Sequence, residues 1–332
     1  MKKILSIFII FSLFLYGCVF NDVRSSIFEM HILNVGQGLC VLVNCDNHFL
    51  LYDGGPADSS SYVVSYCKKL GIDNFDYVIA SHYDSDHISG LVGILNVFDV
   101  SCVLDPDYQT DSKIYRSFKN KVQNEIHPSL YDTYDLSNAS FEIVGPVIHP
   151  EDDNDQSLCI RITFGKTHYF LCGDASSRSL EALEEIQSDV YVVSHHGSKY
   201  SVSSSFFKKL APSCSIISCG KNNIYGHPDQ EVLDLLKNTD LYRTDLQNEI
   251  ILKSDGTNID FNVEPCQSFI SGEQLEEDQE NYQFICNKNS KKIHRPDCSG
   301  VQMMKEENKL YTNESKEDLI KRGYNPCQMC DP

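Results

Sequence analysis

The chain has 332 residues, of which 41% are hydrophobic and 23% are charged, a composition typical of a soluble globular protein that excludes global disorder. Its 47 acidic and 28 basic side chains give a formal net charge of -19, so the body as a whole repels nucleic acid and anionic membranes at long range. Any activity on a polyanion must therefore rely on metal ions or on a local basic patch.

The N-terminus has the pattern of a secretory targeting segment. Lys2 and Lys3 precede an apolar run at 4–16 that is too short to span a membrane comfortably as a mature helix. The sequence Leu-Tyr-Gly-Cys at 15–18 resembles a bacterial lipobox and predicts acylation of Cys18. We therefore predict a lipoprotein signal peptide at 1–17, a tether at 18–28 and an extracytoplasmic protein anchored to the bacterial cell membrane by lipid, with secretion as the alternative.

Short apolar runs bounded by Gly, Asp, Asn and Ser follow, and they predict strands. These runs lie at 28–34, 39–44, 49–52, 77–80, 102–104, 158–164, 169–172, 190–193, 214–218, 250–252 and 259–263. Segments with helical periodicity predict helices at 59–70, 179–186, 203–210 and 228–236. The mixture indicates a layered α/β domain, which we assign to residues 29–265.

Many of the cysteines in this region lie inside the predicted strands. An exported protein meets an oxidising environment, in which cysteines often pair. Cysteines in apolar strand runs are nevertheless more often small buried hydrophobic groups than disulfides. This expectation covers Cys40, Cys102, Cys159, Cys172, Cys214 and Cys219.

One short segment concentrates side chains that bind metals. The sequence Ser-His-Tyr-Asp-Ser-Asp-His-Ile at 81–88 follows a predicted strand and places His82, Asp84, Asp86 and His87 in one turn. Burying or crowding such groups unpaired is costly, and a bound divalent cation, or two, is the natural compensation. The segment therefore predicts a metal site.

Further ligand-type side chains stand in loops near the ends of other predicted strands. They are His149, Asp174, His195, His196 and His227. Reactive groups collect in such loops in α/β folds. Two of them also have a purely structural explanation. His149 would suit an ordinary loop, and His227 would suit the start of a helix whose first residue is a proline.

Eight short motifs occur in one order between residues 29 and 263. They are Asn-Val-Gly-Gln-Gly at 34–38, Asp-Gly-Gly at 53–55, the segments 82–90 and 154–158, Gly-Asp at 173–174, the segment 195–201, Gly-His-Pro at 226–228 and Tyr-Arg-Thr-Asp at 242–245. In this order they resemble metallo-β-lactamase-fold hydrolases, and most of all the branch that includes the extracytoplasmic domain of the competence protein ComEC. The resemblance implies an α/β fold, a four-layer αββα metallo-β-lactamase sandwich, with two metals in a cleft at one edge of the sheets.

The resemblance also assigns the ligands of each metal. His82 and Asp84 would hold the first metal, with His149 as a third ligand. Asp86 and His87 would hold the second metal.

Asp174 would bridge the two metals, and one of His195 and His196 would complete the second, with His195 slightly favoured. Asp53 would orient the ligand turn rather than bind metal. Many members of the wider superfamily have histidine where this chain has Asp84, and an oxygen-rich ligand set tolerates manganese or magnesium better than an all-imidazole set. Zinc, which suits imidazole together with carboxylate, is our first expectation and manganese the second.

Two cations that share a solvent molecule predict hydrolysis. A metal lowers the pKa of bound water to about 7, which supplies hydroxide at neutral pH, and a second cation stabilises charge on the reacting oxygens. In the ComEC-like branch the implied bond is a phosphodiester in DNA. Beside the ligand Asp86, Lys199 would contact a phosphate and His227 would protonate a leaving oxygen. A solvated loop lysine is the alternative for Lys199.

The sequence of the C-terminal region predicts a separate small module. An acidic stretch predicts a linker at 266–281, and residues 282–332 then hold nine Lys or Arg against seven Asp or Glu. His294, Cys298, Cys327 and Cys330 have the spacing of a closed structural zinc site. Cys286 is an alternative to His294. The module resembles small zinc-binding domains related to the metal-binding part of the Ada DNA-repair protein.

The basic residues of this module predict a contact with nucleic acid or a solvated basic surface, and the sequence leaves both open. They are Lys288, Lys291, Lys292 and Arg295. If they bind DNA, they supply the local attraction that the acidic body lacks.

We therefore expect a surface-anchored dinuclear metal-dependent hydrolase, a phosphodiesterase or nuclease acting on DNA or another phosphodiester polymer. The alternatives are hydrolysis of a lactone, a thioester or a cell-envelope phosphodiester of the phosphocholine type, and a surface binding protein that kept the fold and lost catalysis. Apolar residues at the mouth of the cleft would favour acyl substrates, whereas a basic rim around Lys199 would favour phosphodiesters. No channel for DNA transport is predicted, and the oligomeric state stays open.

Overall fold

The computed structural model describes residues 26–147, 152–184, 186–274, 282–296, 298–302, 304 and 308–332. The predicted signal peptide, Cys18 and most of the tether lie outside these residues, as do His149 and most of the acidic part of the linker. None of the helices in the described ranges is long and apolar enough to cross a lipid bilayer.

The first sheet is built from strands at both ends of the hydrolase region, and the described residues give it eight strands in the order β15-β14-β1-β2-β3-β4-β5-β6. From β3 to β6 neighbouring strands run parallel, and the other pairs are antiparallel. The bounds are β1 Phe28–Ile32, β2 Val41–Cys45, β3 His48–Tyr52, β4 Asn74–Ile79, β5 Asp99–Leu104, β6 Glu125–Ile126, β14 Ile250–Ser254 and β15 Ile259–Phe261.

The second sheet has seven strands among the described residues, in the order β13-β12-β11-β10-β9-β8-β7. From β10 to β13 the strands are parallel. The bounds are β7 Thr133–Leu136, β8 Ala139–Gly145, β9 Cys159–Phe164, β10 Thr167–Leu171, β11 Val190–Val192, β12 Cys214–Ile217 and β13 Asp240–Arg243.

Helices cover the outer face of each sheet. An apolar cluster from both sheets fills the space between them, and a separate apolar cluster lies under the helices on each outer face. The helices are α1 Ser60–Lys69, α2 Ser85–Val97 and α3 Lys113–Lys119 on the first sheet, and α4 Ser177–Glu181, α5 Ser204–Leu210 and α6 Gln230–Leu236 on the second, with the short α7 Thr244–Gln247 after β13. The four-layer αββα sandwich predicted from the sequence is thus confirmed.

The sequence missed several elements. Helix α2 begins inside the metal-binding motif, so Asp86 and His87 lie in its first turn rather than in an irregular loop. The hairpin β7–β8 was also missed, because its exposed polar residues break the apolar pattern. Helix α4 ends at Glu181, earlier than the predicted 186.

The cysteines of the sandwich behave as buried apolar groups. Of the six singled out in the sequence, Cys102 is partly exposed and the others are buried. All six are free thiols, and no disulfide forms in the part of the chain that the structure describes.

The C-terminal module has its own small sheet, with β18-β16-β17-β19 as the strand order. Its strands are β16 Phe284–Asn287, β17 Lys292–His294, β18 Lys309–Thr312 and β19 Asn325–Pro326, and its helices are Ser299–Gln302 and Lys316–Lys321. A compact apolar cluster holds it together and includes Phe284, Cys286, Ile293, Leu319 and Tyr324.

Candidate metal centre

The ligand-type side chains gather at one edge of the two sheets. Asp53 follows β3, the 81–87 motif follows β4, Asp174 follows β10, and His195 and His196 follow β11. Parallel neighbours end at the same edge of a sheet, and loops held there by a rigid scaffold are well placed to carry a site. The fold therefore brings together residues that are far apart in sequence.

Asp53 orients the turn at 81–87 through hydrogen bonds from a buried position. Its side chain is fully buried, and its carboxylate accepts hydrogen bonds from the Ser81 backbone N–H at 2.8 Å and from the Ser81 hydroxyl at 2.7 Å. The same carboxylate lies 2.7 Å from Nδ1 of His87. This contact fixes the proton on Nδ1 and leaves Nε2 of His87 available to bind a metal.

A close backbone crossing fixes the loop after Asp53 on helix α2. The Gly54 N–H donates to the His87 carbonyl at 2.7 Å, and the Gly90 N–H donates to the Gly55 carbonyl at 2.9 Å. A Cβ atom on Gly90 would lie 1.8 Å from the Gly54 carbonyl oxygen. Glycine at 90 is therefore required for the loop and the first turns of α2 to meet.

The second histidine of the His195-His196 pair is held toward the same pocket. Nδ1 of His196 lies 3.0 Å from the Ser218 carbonyl oxygen, which leaves Nε2 facing Asp86 and Asp174. His195 and His196 both have positive φ, of 51° and 56°. Backbone strain of this kind clusters at functional sites, where the surrounding structure stabilises it.

Four side chains form a compact ligand cluster, Asp86, His87, Asp174 and His196, whose ligand atoms lie within 4.8 Å of one another. Nε2 of His87 is 3.1 Å from Asp174 Oδ1, and Nε2 of His196 is 3.3 Å from Asp86 Oδ2. Three of these atoms, both Nε2 atoms and Asp174 Oδ1, are buried without a hydrogen-bond partner. Buried polar atoms are rarely left unpaired, so the cluster fits a divalent cation.

The electrostatics of the cluster favour a cation. Burial alone would lower the pKa of His87, but the carboxylates of Asp174 and Asp53 raise it well above its ordinary value. Burial alone would raise the pKa of Asp174, but His87 and His196 lower it well below its ordinary value. Protons on the imidazoles thus balance the carboxylates, and a bound cation would replace those protons.

The residues assigned to the first metal lie beside this cluster. The rings of His82 and His87 are 4.2 Å apart, and Nε2 of His82 lies 3.7 Å from Asp84 Oδ2. Nε2 of His82 is also buried without a hydrogen-bond partner, as expected of a ligand atom. The predicted third ligand, His149, lies outside the described residues.

His195, which the sequence slightly favoured as a ligand over His196, lies at the mouth of the pocket. Its Nε2 atom is 3.8 Å from Asp174 Oδ2, and the side chain is 27% exposed, compared with 3% for His196. The structure places His196 and not His195 in the compact cluster. The sequence could not decide between these two adjacent histidines, because the strained turn that directs their side chains apart depends on tertiary packing.

The predicted catalytic residues His227 and Lys199 lie on two neighbouring loops near this mouth. The ring of His227 is 5.9 Å from that of His195, and its Nδ1 atom is 3.4 Å from the side-chain nitrogen of Gln37. Burial, with a contribution from His196, lowers the pKa of His227 to about 4, so its imidazole is neutral at pH 7. Lys199 is exposed. Gln37, within the 34–38 motif, is a contact that the sequence did not assign.

The predicted zinc ligands of the C-terminal module also converge. His294, Cys298, Cys327 and Cys330 are buried, and their ligand atoms lie within 4.8 Å of one another. Nδ1 of His294 is 3.4 Å from the Cys298 sulfur. Cys286, considered as an alternative to His294, lies instead in the apolar cluster of the module. A tetrahedral zinc ion suits this set of one imidazole and three thiols.

One further group of potential ligands is already neutralised by a lysine. Asp105, Glu125 and His127 lie close together, but Nζ of Lys119 is 2.8 Å from Asp105 Oδ2. The hydroxyl of Tyr83 donates to the same oxygen at 2.8 Å. This network anchors the residue between His82 and Asp84.

The superfamily model of the metallo-beta-lactamases matches residues 33–221, which is more than half of the chain. The chain belongs to the metallo-beta-lactamase superfamily. The matched range contains Asp86, His87, Asp174 and His196, and His227 follows it.

The chain is also similar to curated proteins of two bacteria. The chain is 27% identical over 256 residues to ComE operon protein 3 of Bacillus subtilis, covering 69% of this chain and 32% of that protein. It is 27% identical over 228 residues to competence protein ComA of Neisseria gonorrhoeae, covering 66% and 31%. The chain thus spans about a third of the length of the curated relatives that it matches.

The chain is also similar to solved structures. The metallo-beta-lactamase fold protein YhfI of Bacillus subtilis is 14% identical to this chain, covers 68% of it and is itself covered over its full length, with a TM-score of 0.48.

Proposed function

We propose that this protein is a dinuclear metal-dependent phosphodiesterase that cleaves nucleic acid. The observation that carries the proposal is the cluster of Asp86, His87, Asp174 and His196, in which the ligand atoms converge and three of them are buried without a hydrogen-bond partner. Such a donor set suits zinc or manganese. The similarity of the chain to a protein named for competence favours DNA as the polymer.

The chain's own residues would prepare the site for hydrolysis. Two divalent cations, when bound, supply activated water and offset negative charge on a phosphate. Asp53 and the Ser218 carbonyl orient the imidazoles of His87 and His196, so the ligand atoms need little rearrangement. His227, neutral at pH 7 and close to His195, would donate a ring N–H hydrogen bond to an oxygen of the substrate. With a pKa of about 4 it holds almost no imidazolium at pH 7, so the proton for the leaving oxygen would come from solvent and not, as the sequence had suggested, from His227.

The test is metal analysis of the purified mature protein combined with assays on single-stranded DNA, duplex DNA and a simple phosphodiester. We expect bound metal and cleavage that Asp86→Asn lowers by at least about a hundredfold. Asp99→Asn, at an exposed strand position away from the cluster, is the matched control and should retain activity. An active protein without metal, or an undiminished Asp86→Asn variant, would refute the proposal.

A second candidate is hydrolysis of a lactone, thioester or other acyl substrate. Ile224 and Tyr225, on the loop that carries His227, are 91% and 62% exposed, and an apolar mouth suits an acyl chain. Cleavage of acyl esters and of no phosphodiester would favour this candidate. The alternative of a surface binding protein that kept the fold and lost catalysis predicts that neither class of substrate is hydrolysed.

We further propose that a lipid on Cys18 anchors the protein outside the cytoplasm. Acylation of one cysteine with more than one chain gives stable membrane association. Cys18→Ser should move the protein from the membrane fraction to the medium or leave it unprocessed. A wild-type protein found in the cytosol would contradict the anchor.

The C-terminal module would contribute a structural zinc and a contact to the polymer. Lys291 is exposed, and its Nζ atom lies 4.7 Å from the ring centroid of Tyr324, a buried residue of the apolar cluster of the module. Lys291→Gln should weaken DNA binding and reduce its salt dependence. Cys327→Ser should remove one zinc per chain, whereas Cys286→Ser, in the same module but away from the ligands, should leave the zinc content unchanged.

A further inference from the structure

Two loops at the mouth of the metal pocket expose large apolar side chains. Tyr200 is 67% exposed and follows the His195-His196 turn, whereas Ile224 and Tyr225 precede His227 and are 91% and 62% exposed. Large exposed apolar groups at the mouth of a site indicate contact with a ligand. We call these three residues the apolar rim.

The ring of Tyr225 is directly connected to the site. It stacks on the ring of His227 with centroids 5.5 Å apart and an interplanar angle of 23°. The ring of His227 lies 5.9 Å from that of His195, whose Nε2 atom is 3.8 Å from Asp174 Oδ2. A planar group that stacks on Tyr225 would therefore lie close to a substrate held at the metal pocket.

The loop that presents Tyr225 is held firmly by one buried side chain. The amide nitrogen of Asn223 donates to the carbonyl oxygens of Gly220 and His227, at 2.8 and 2.7 Å. Its amide oxygen accepts from the backbone N–H groups of Tyr225 and His227, at 3.2 and 3.0 Å. An exposed aromatic side chain on such a fixed loop is a pre-organised contact surface.

The loop of Tyr200 is tied to this one and brings a positive charge. The Lys199 backbone N–H donates to Asp229 Oδ2 at 2.8 Å, and the Asp229 N–H donates to the Gly197 carbonyl at 2.9 Å. Nζ of Lys199 lies 5.5 Å from the centroid of the Tyr200 ring. Aromatic surfaces next to lysines are the combination that proteins use to bind single-stranded nucleic acid, because the rings stack on bases and the lysines contact phosphates.

We propose that Tyr225 and Tyr200 form a base-stacking subsite that makes the enzyme prefer single-stranded nucleic acid. This inference rests on the proposed phosphodiesterase function and deepens it. Unpaired bases can turn onto the tyrosine rings, whereas bases in a duplex are already stacked and paired. The two aromatic rings and Lys199 favour this occupant over an acyl chain, which would use Ile224 but gain nothing from the lysine.

The test compares an oligothymidylate with a strand of the same length whose sugars carry no bases. With metal-loaded full-length protein, we expect kcat/KM to be roughly 5- to 150-fold higher on the thymidylate strand, the range expected from stacking one base. Tyr225→Ser should collapse this ratio toward one, Tyr225→Phe should keep it, and Tyr131→Ser, at another exposed tyrosine, should not change it.

Two results would overturn the subsite. One is equal cleavage of both strands by the wild type. The other is a Tyr225→Ser variant that slows both strands equally, because the tyrosine would then act only by supporting His227. Faster hydrolysis of long acyl esters that depends on Tyr225, without any preference for bases, would assign the rim to an acyl chain and also refute the subsite.

Failure of the proposed function is distinguishable from failure of the subsite. If the wild type cleaves neither strand, the phosphodiesterase proposal fails, and the subsite is tested by binding alone. Fluorescence anisotropy with labelled oligothymidylate should then show tighter binding than with the abasic strand, and Tyr225→Ser should abolish the difference. Equal binding of the two strands would refute the subsite.

Discussion

The substitution Asp53→Asn tests whether the buried carboxylate sets the metal affinity of the site. Asp53 has a φ of 59°, a conformation that asparagine tolerates well, so the variant should keep its backbone. The Asn oxygen can still accept from the Ser81 N–H, now at 2.8 Å. The new amide group would then face Nδ1 of His87, where a carboxylate oxygen now lies at 2.7 Å.

The expected loss of metal affinity follows from a change in the position of the proton on His87. An amide N–H that points at Nδ1 forces this nitrogen to act as an acceptor, so the proton moves to Nε2, the atom that would bind metal. Loss of such a supporting carboxylate typically lowers metal affinity by about 10- to 100-fold, which is about 1.4 to 2.7 kcal/mol. We expect a fall within this range.

The assay is titration with Mn²⁺ followed by electron paramagnetic resonance. Manganese prefers oxygen and nitrogen ligands, so the sulfur-rich site of the C-terminal module contributes little to the signal. Asp76→Asn is the matched control, because Asp76 also pairs with a histidine, with its Oδ1 atom 3.0 Å from Nδ1 of His48, at an exposed position. An unchanged Mn²⁺ affinity in Asp53→Asn, or an equal loss in both variants, would refute the reasoning.

Three further predictions concern stability, each measured by urea unfolding of the metal-free protein. Gly90→Ala places a Cβ atom 1.8 Å from the Gly54 carbonyl oxygen and should cost about 1–3 kcal/mol. Arg243→Met leaves Asp245, whose Oδ2 lies 2.7 Å from the arginine, buried without its partner and should cost about 3–5 kcal/mol. Burial lowers the pKa of His227 from 6.5 to about 4, so between these two pH values the unfolded chain binds more protons than the folded chain. The free energy of unfolding should fall as the pH drops from about 6.5 to about 4, and His227→Gln should remove up to about 3 kcal/mol of this fall.

Matched variants make these predictions specific. Gly93→Ala, on the same helix, meets the Ser60 hydroxyl, which can rotate away, and should cost less than Gly90→Ala. Lys237→Met breaks an exposed ion pair with Asp234 and should cost less than about 1 kcal/mol. His168→Gln should leave most of the pH slope of the wild type in place. Equal effects within a pair would contradict the corresponding structural explanation.

The sequence was sufficient for the layered fold and for choosing most of the side chains that the structure brings together, because both depend on local signals. Apolar runs mark the central strands, and metal-binding side chains are too costly to crowd without function, which is why the motif at 82–87 stood out. The helix that starts in that motif was missed, since Asp86 and His87 interrupt its apolar pattern. Its first turn is fixed instead by the close approach of Gly54 and Gly90.

Other features of the site depend on contacts that are distant in sequence. His196 rather than His195 enters the cluster because the Ser218 carbonyl, 22 residues away, holds its ring. The contact between Gln37 and His227 spans 190 residues. No pattern within one strand or loop encodes such pairs. Tyr225 and His227, by contrast, are close neighbours in sequence, but only the structure shows that their rings stack at the mouth of the metal pocket.

The most direct test of a metal-dependent nuclease is the cleavage of a labelled oligothymidylate as Mn²⁺ is added back to protein whose hydrolase site has been emptied by dialysis against a chelator. We predict that activity is absent without metal, saturates at two equivalents per chain and stays absent in Asp174→Asn, which lacks the carboxylate that would bridge the two metals. Full cleavage by the metal-free protein, or by Asp174→Asn, would contradict the account.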